Sequence, residues 1–299
     1  MEHGGEQGRL RWADTVIAAA DASRLSPGRL KERGSDVTAE EYLKAERLDE
    51  ALASLQEEVR QNPAADRPRV FLFQLLCVLG RWERAASQLQ VLAEMDADCT
   101  LLAHIFRPVV QCEALRGEVF AGKRTPIIFG EPEEWMGWLV QANHLVAQGQ
   151  FSAAGELRAR AFEAAPAALG KLNGTPFEWI ADADSRLGPM LEAIVEGRYW
   201  WVPFQRIQRI ELEKPVDLRD LVWMPARFVW SNGGQAAGFV PTRYAGTESA
   251  SDPALQLARK TEWLVREGDH YLGLGQRILA TDQTEMPLGE VRVIESRSE

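Results

Sequence analysis

Two carboxylates separated by one residue form a tight cluster of ionisable side chains in this sequence. Asp182 and Asp184 lie in the segment FEWIADADSR at residues 177–186, which ends with Arg186. Paired carboxylates supply the oxygen ligands that Mg²⁺ prefers, so one hypothesis is a hydrolase that uses a divalent metal. The alternative is structural: the acids cap a helix predicted over residues 185–196, or one of them forms an ion pair with Arg186. The spacing favours the structural interpretation.

Aromatic side chains are concentrated in the C-terminal part of the chain. Six of the ten tryptophans follow residue 178, and residues 199–204, YWWVPF, hold four aromatics in six positions. Consecutive strand residues point to opposite faces, so Trp200 and Trp201 cannot both point inward if this segment is extended. An outward aromatic is a candidate anchor for another protein. The alternative is that a helix packs over the outer one.

The remaining composition excludes several classes of function. The four histidines are scattered, and no nucleophile elbow, phosphate-binding glycine loop, zinc-ligand spacing or dinucleotide fingerprint occurs. A formal net charge of −10 opposes binding to nucleic acid. Three cysteines without paired spacing indicate a reducing compartment, and no apolar run reaches the length of a membrane span. We therefore expect a cytoplasmic protein with no cofactor, no metal and no membrane partner.

A degenerate internal repeat organises the first half of the chain. Residues 47–51 (RLDEA), 81–85 (RWERA) and 150–154 (QFSAA) each place a large apolar residue three positions before an alanine. The first two copies are 34 residues apart and the third follows 69 residues later, close to two further periods. The alanine permits close approach of neighbouring helices, and Gly80 and Gly149 suit a tight corner before a helix. A period of this length is typical of tetratricopeptide repeats.

The second half has the composition of β-strands. Asn232-Gly233 between two apolar runs is a strong hairpin signal, and Glu267-Gly268-Asp269 marks a second turn. The predicted fold class is α+β. We expect a flexible extension over residues 1–36, a tetratricopeptide-like helical domain over residues 37–169, and a Trp-rich α+β domain over residues 170–299. Its antiparallel sheet is expected to be barrel-like or strongly twisted.

Five segments of the chain resemble the ImpE/TagJ family of type VI secretion accessory proteins. The segments are residues 70–80, 177–186, 199–204, 220–225 and 271–277, and the resemblance extends over about residues 37–294. It implies an accessory role without catalytic residues, in association with the small sheath subunit and, through it, with the ClpV ATPase that recycles contracted sheath. The candidate partner-binding residues are Phe177, Trp179, Asp182, Asp184, Arg186, Tyr199, Trp200 and Trp201.

These observations favour an adaptor that docks a peptide or helix of the small sheath subunit and links it to ClpV. Repeat hairpins can offer a groove for a helix, and a sheet edge can pair with an extended peptide. Two alternatives remain: a divalent-metal-dependent hydrolase built on Asp182 and Asp184, and a general tetratricopeptide co-chaperone. The co-chaperone ranks last, because its carboxylate clamp needs Lys, Arg and Asn along an inner helix. The apolar helix predicted over residues 70–79 offers no such cluster.

Overall fold

The computed structural model describes residues 37–297, so the extension predicted over residues 1–36 lies outside the described part. The first half is helical, and no helix within residues 37–297 is long and apolar enough to cross a membrane. The helices of this half are α1 (Ala39–Lys44), α2 (Leu48–Gln61), α3 (Asp66–Val78), α4 (Trp82–Leu92), α5 (Ala97–Phe120), α6 (Glu134–Ala147) and α7 (Phe151–Ala164).

The three predicted repeat copies share one corner geometry. In each copy the residue two positions before the second helix has a positive φ, which favours glycine: 60° at Glu46, 63° at Gly80 and 73° at Gly149. The next residue donates its backbone N–H to the carbonyl five positions earlier, at 2.8, 2.8 and 2.9 Å in chain order. This 6→1 bond closes the preceding helix. The corners before α2, α4 and α7 are therefore repeats of one structure, as the sequence predicts.

The small residue of each copy is fully buried, at Ala51, Ala85 and Ala154. Its backbone N–H also donates the first hydrogen bond of the second helix, at 2.9–3.0 Å. A methyl group at this position lets the paired helices approach closely, which confirms the role inferred from the sequence.

Helix α3 is covered by the chain's own C-terminal half. Its last turns, which include Phe73 and Leu76, are fully buried, and the 3₁₀ turn Leu218–Leu221 packs against it. The indole of Trp223 lies 5.9 Å from the ring of Trp82 at the start of α4, measured between centroids. The expectation that the repeat hairpins leave an open groove is wrong for this face, because the second half fills it.

The second half is mostly antiparallel sheet, as predicted. A nine-stranded sheet has the order β1-β6-β5-β9-β8-β7-β14-β2-β3, and two smaller sheets have the orders β10-β11 and β13-β12-β4. The strands are β1 (Ile127–Ile128), β2 (Gly170–Leu172), β3 (Thr175–Phe177), β4 (Ile180–Asp182), β5 (Met190–Val195), β6 (Arg198–Pro203), β7 (Ile207–Leu212), β8 (Trp223–Trp230), β9 (Gln235–Pro241), β10 (Thr261–Arg266), β11 (His270–Gly275), β12 (Ile278–Thr281), β13 (Glu285–Pro287) and β14 (Val293–Ser296).

Both turn signals lie at hairpins. Asn232-Gly233 joins β8 to β9, with Gly233 at a φ of 81°. Glu267-Gly268-Asp269 joins β10 to β11, where Gly268 and Asp269 both have positive φ. Strand β1 was not predicted: it comes from the loop between α5 and α6 and pairs in parallel with Trp200 and Trp201 of β6.

The helix predicted over residues 185–196 is wrong, because its second half is strand β5. All six residues of β5 are buried. Met190 and Ile194 belong to a core shared with the helices, whereas Leu191 and Ala193 belong to a second core on the other face of the sheet. A strand that is buried on both faces shows no alternation of polar and apolar residues, so its sequence resembles that of a buried helix.

The helices and the sheet share their main hydrophobic core. One cluster of buried side chains joins residues of helices α1 to α7 to Trp201, Trp223 and Phe239 of the sheet. Phe106 of α5 illustrates the contact, since its ring centroid lies 5.3 Å from Phe239 and 6.1 Å from Trp223. The two halves therefore do not have separate cores, although the sequence composition changes between them.

Enlarging a repeat alanine tests the packing of the corners. We expect Ala154→Leu to lower the free energy of unfolding by about 1–3 kcal/mol, because the site is fully buried and extra methylenes in a packed interior force neighbouring groups to shift. The neighbouring Ala153 is exposed on the same helix, so Ala153→Leu should change it by less than about 0.5 kcal/mol. Urea unfolding measures both values. Equal effects of the two substitutions would contradict the packing role.

Candidate functional site

A buried carboxylate, Glu192, lies between the helices and the sheet. It projects from the helix-facing side of β5, where Arg116 of α5 donates to its two oxygens from Nε at 2.7 Å and from Nη2 at 3.0 Å. Arg277, between β11 and β12, and the hydroxyl of Tyr199 donate to the same carboxylate. Burial alone would raise the pKa of Glu192, but Arg116 and Arg277 outweigh burial and hold this pKa at about 2. Glu192 is therefore an anion that joins three parts of the chain.

Helix α5 contributes a second carboxylate to the same cluster. Glu113, one turn before Arg116, accepts the indole N–H of Trp223 at 2.7 Å and a longer bond from Arg116 at 3.4 Å. Arg116 also donates to the backbone carbonyl of Arg243 at 2.7 Å. A buried indole N–H and a buried guanidinium both need acceptors, and these contacts supply them across the interface between helix and sheet.

Arg243 joins the sheet half to the end of helix α3. Its guanidinium donates to the carbonyls of Val78 at 2.8 Å and Cys77 at 3.4 Å, in the last turn of the helix. Both carbonyls lie at the negative end of the helix dipole, so a cation is favourable there, and the Cys77 carbonyl also accepts the Gly80 N–H at 3.1 Å. Burial lowers the pKa of Arg243 to about 10. The side chain nevertheless stays charged at neutral pH.

The Asp182–Asp184 pair belongs to the same cluster. Arg277 donates to Asp182 Oδ2, and the Asp184 N–H donates to Asp182 Oδ1 at 2.8 Å. Arg186 donates from Nε and from its backbone N–H to Asp184 Oδ1 at 2.9 and 2.8 Å, and the Gly273 N–H donates to Asp184 Oδ2 at 2.8 Å. All four carboxylate oxygens thus accept hydrogen bonds from the protein. The predicted ion pair with Arg186 is present, whereas helix capping is wrong because a strand follows.

The hydrogen bonds of Asp182 and Asp184 argue against the hypothesis of a divalent-metal site at this pair. A divalent cation at the acidic pair would have to displace Arg186 and Arg277, each of which contacts a buried carboxylate. Burial outweighs the attraction of Arg277 and raises the pKa of Asp182 to about 6. A fraction of the Asp182 carboxylates is therefore protonated at neutral pH, and this fraction grows as the pH falls. The geometry therefore favours a structural ion-pair network, and nothing in it favours hydrolysis.

Four carboxylates and three guanidinium groups make up the network. A buried charge is tolerated when it is paired and its remaining donors or acceptors are satisfied. The acidic members are Glu113, Asp182, Asp184 and Glu192, and the basic members are Arg116, Arg186 and Arg277. Arg243 lies beside them, because its backbone carbonyl accepts from Arg116 and its guanidinium donates to backbone carbonyls. Contacts with these arginines, with the Tyr199 hydroxyl, with the Trp223 indole and with backbone N–H groups explain how the four carboxylates are accommodated in the interior.

The structure separates the eight candidate partner-binding residues into two groups. Trp179 is 43% exposed in the loop between β3 and β4, and Trp200 and Arg186 are partly buried. The other five lie in the interior, where a partner cannot reach their side chains in this conformation: Phe177, Asp182, Asp184, Tyr199 and Trp201. Trp179 is thus the member of the set that offers a partner the largest accessible aromatic surface.

Trp200 and Trp201 point to opposite faces of the sheet, as predicted for an extended segment. Trp201 faces the helices and donates its indole N–H to the Tyr199 hydroxyl at 2.7 Å. Trp200 faces the other way and is covered by Phe129, whose ring meets it edge-on at 5.8 Å between centroids. The cover comes from the segment that follows β1 rather than from a helix.

Sequence reasoning missed the centre of this cluster. Glu192 is the one charged residue in the strand MLEAIV, and Glu113 and Arg116 are spaced one turn apart on α5. An isolated charge in an apolar run is the local signal of a buried ion pair. Arg277 lies in the family-like segment 271–277, but nothing in its local sequence indicates that its partner is 85 residues away.

A cavity of about 380 Å³ lies away from this cluster, where the segment after α7 meets the sheet. Its lining includes Leu169, Gln205, Gln208, Ser231 and Arg297, and among residues 37–297 it contains no carboxylate or histidine. A serine nucleophile needs an adjacent base, and the lining supplies none.

The architecture defines a class: a tetratricopeptide-like helical unit that shares its core with a mostly antiparallel sheet. The ImpE protein family model matches residues 174–295, and a tetratricopeptide repeat model matches residues 42–105. The chain is 49% identical over 279 residues to the Pseudomonas aeruginosa protein "Type VI secretion system accessory component TagJ", covering 92% of this chain and 98% of that protein. It belongs to the ImpE/TagJ family of type VI secretion accessory proteins.

A solved structure agrees with this assignment. The crystal structure of protein VPA1032 from Vibrio parahaemolyticus superposes with a TM-score of 0.80 at 26% sequence identity. The match covers 87% of this chain and 98% of that one. Helical repeats and sheet therefore occur together in that protein as well.

Removing one guanidinium from the network tests whether it holds the fold together. We expect Arg277→Met to lower the free energy of unfolding by about 3–5 kcal/mol, because Asp182 and Glu192 then lose their shared cation in the interior. Arg209 also contacts two carboxylates, Glu211 and Glu295, but its side chain is 39% exposed. Arg209→Met should therefore cost less than about 1 kcal/mol. Denaturant unfolding that gives equal losses for both variants would contradict the structural role of the network.

Proposed function

We propose that this protein is a non-catalytic, cytoplasmic accessory component of a type VI secretion system that acts by binding other proteins. The observation that carries the proposal is the near full-length similarity to the Pseudomonas aeruginosa accessory component TagJ. The buried network supports the non-catalytic part, because the acidic pair that the hydrolase hypothesis required is held by arginines and backbone N–H groups. A second function is not proposed, since no contact in the described residues favours one.

The partner we propose is a peptide or helix of the small sheath subunit, which the protein links to the ClpV ATPase. The sheet half packs over the face of the helical repeats that contains α3, so a partner must dock on an outer surface. The same filling argues against a general co-chaperone whose clamp lies along α3. Trp179 is the anchor we propose on the outer surface, because a large aromatic that is 43% exposed can bury much apolar area on contact.

Direct binding of the purified small sheath subunit tests this proposal. We expect the wild-type protein to bind it without turnover, and Trp179→Ala to raise the dissociation constant about thirtyfold, because loss of an aromatic hot spot costs about 2 kcal/mol. Tyr271, which is 45% exposed on β11, provides a control of matched exposure. Tyr271→Ala should leave the dissociation constant within about twofold. Isothermal titration calorimetry measures all three proteins.

Two outcomes would separate the parts of the proposal. If the wild-type protein does not bind the small sheath subunit, the proposed partner is wrong. If it binds and Trp179→Ala binds equally well, the partner stands and the anchor is wrong. Circular dichroism spectra of both variants show whether a loss of binding reflects a loss of fold.

A further inference from the structure

Strand β10 has one edge that pairs with no other strand within residues 37–297. It is hydrogen-bonded to β11 on one side, and these two strands form a sheet of their own. The distal part of β10 is exposed, with Leu264 at 39% and Val265 at 58%. An exposed strand edge with apolar side chains is a template for a further strand.

The hydrogen bonds of β11 show which backbone groups of β10 point outward. On the side of β11 away from β10, the backbone N–H groups of Tyr271, Gly273 and Gly275 donate to side chains of Ser185, Asp184 and Thr247 at 2.8–2.9 Å. These three residues are therefore the members of β11 that are not hydrogen-bonded to β10. Hydrogen-bonded and non-hydrogen-bonded pairs alternate along an antiparallel ladder.

The partners of those residues on β10 face outward for the same reason. Tyr271 pairs with Val265 and Gly273 pairs with Trp263, so the N–H and C=O groups of Trp263 and Val265 point away from β11. A side-chain contact agrees with the outward orientation of the Val265 carbonyl, since Arg266 Nη1 donates to it at 3.1 Å. Trp263 and Val265 thus present the donors and acceptors that an added strand would use, and pairing at the Val265 carbonyl would replace the exposed Arg266 guanidinium there.

We propose that two copies of this chain associate by antiparallel pairing of β10 with β10, centred on Leu264. In this register Trp263 lies opposite Val265 of the second copy, and both have outward N–H and C=O groups, so each pair can exchange two hydrogen bonds. Leu264 then faces its own copy as a non-hydrogen-bonded pair, in which side chains approach most closely. Two hairpins combine into one four-stranded sheet with a two-fold axis.

Charge complementarity favours this register, and it favours a second copy of the chain as the strand that pairs with β10. Centring on Leu264 places Glu262 opposite Arg266 of the second copy, and the two-fold axis repeats that pair. A register centred on Trp263 places Glu262 opposite Leu264, and one centred on Val265 places Leu264 opposite Arg266, so both lose the two ion pairs. Opposite charges across a strand pair are favourable and like charges are unfavourable. The strand TEWLVR is therefore complementary to itself.

The proposed contact is small, so the association should depend on concentration. A single pair of edge strands buries less than the ~1,200 Å² of a standard interface. Contacts of this size are weak and reversible, and a two-fold contact of this kind stops at the dimer because it is isologous. Glu262 and Arg266 are four residues apart on an extended strand, too far to pair with each other within one copy. Within one copy Glu262 contacts Lys260 at 2.6 Å, an exposed ion pair that is weak, so Glu262 and Arg266 attract each other only between copies.

A charge exchange on the full chain tests the proposal. Sedimentation velocity over a concentration series should show a monomer–dimer equilibrium for the wild-type protein. Glu262→Arg and Arg266→Glu, made singly, should each weaken the dimer about tenfold, because each creates two like-charge pairs across the contact. The double variant E262R/R266E restores opposite charges and should return the dissociation constant to within about threefold of wild type. Glu94→Arg, the same charge change at an exposed site in the helical half, should have no effect.

A backbone variant tests the hydrogen bonds independently of charge. Val265→Pro removes an outward N–H donor without removing a hydrogen bond to β11, and proline is tolerated on an edge strand. We expect it to abolish the dimer while the circular dichroism spectrum stays that of wild type. A wild-type protein that stays monomeric up to millimolar concentration would overturn the proposal. The proposal would also be overturned if the single charge variants left the dissociation constant of the dimer unchanged, or if the double variant did not restore it.

Discussion

Glu192 is an anion in the interior, and the arginines that neutralise it fix how the two halves of the chain meet. Arg116 reaches it from helix α5, and Arg277 reaches it from the segment between β11 and β12. Removing a carboxylate from water costs several kcal/mol unless its partners are placed correctly. The helices cannot move away from the sheet without leaving Glu192 or an arginine unpaired, so the network specifies one arrangement of helix and sheet.

That arrangement also determines which surfaces remain for function. Helical repeats can bind peptides in a groove, but here the sheet half fills the face over α3, and Arg243 joins the end of that helix to the sheet. The features that the filled core leaves outside include the exposed Trp179 and the edge of β10 that pairs with no other strand within residues 37–297. The proposals on partner binding and on self-association therefore rest on the outer surfaces of the helices and the sheet.

Local sequence signals predicted the local structure well. The repeat corners at Gly80 and Gly149 and the hairpin at Asn232-Gly233 follow from backbone preferences of a few residues, and the α+β class follows from their sum. Strand β5 was assigned wrongly, because burial on both faces removes the alternation that identifies a strand. The acidic pair was recognised as an ion-pair candidate, yet its partner Arg277 lies 95 residues from Asp182, and no local pattern encodes such a distance.

The central claim is that the shared core and the buried ion pairs make helices and sheet one cooperative unit. Native-state hydrogen exchange, followed by mass spectrometry across a urea series, tests it most directly. We expect the amides of α3, α5, β5 and β8 to converge on one opening free energy with one denaturant dependence, because none of these elements is stable without the others. Exchange of β5 and β8 through an opening that leaves α3 and α5 protected would contradict the claim.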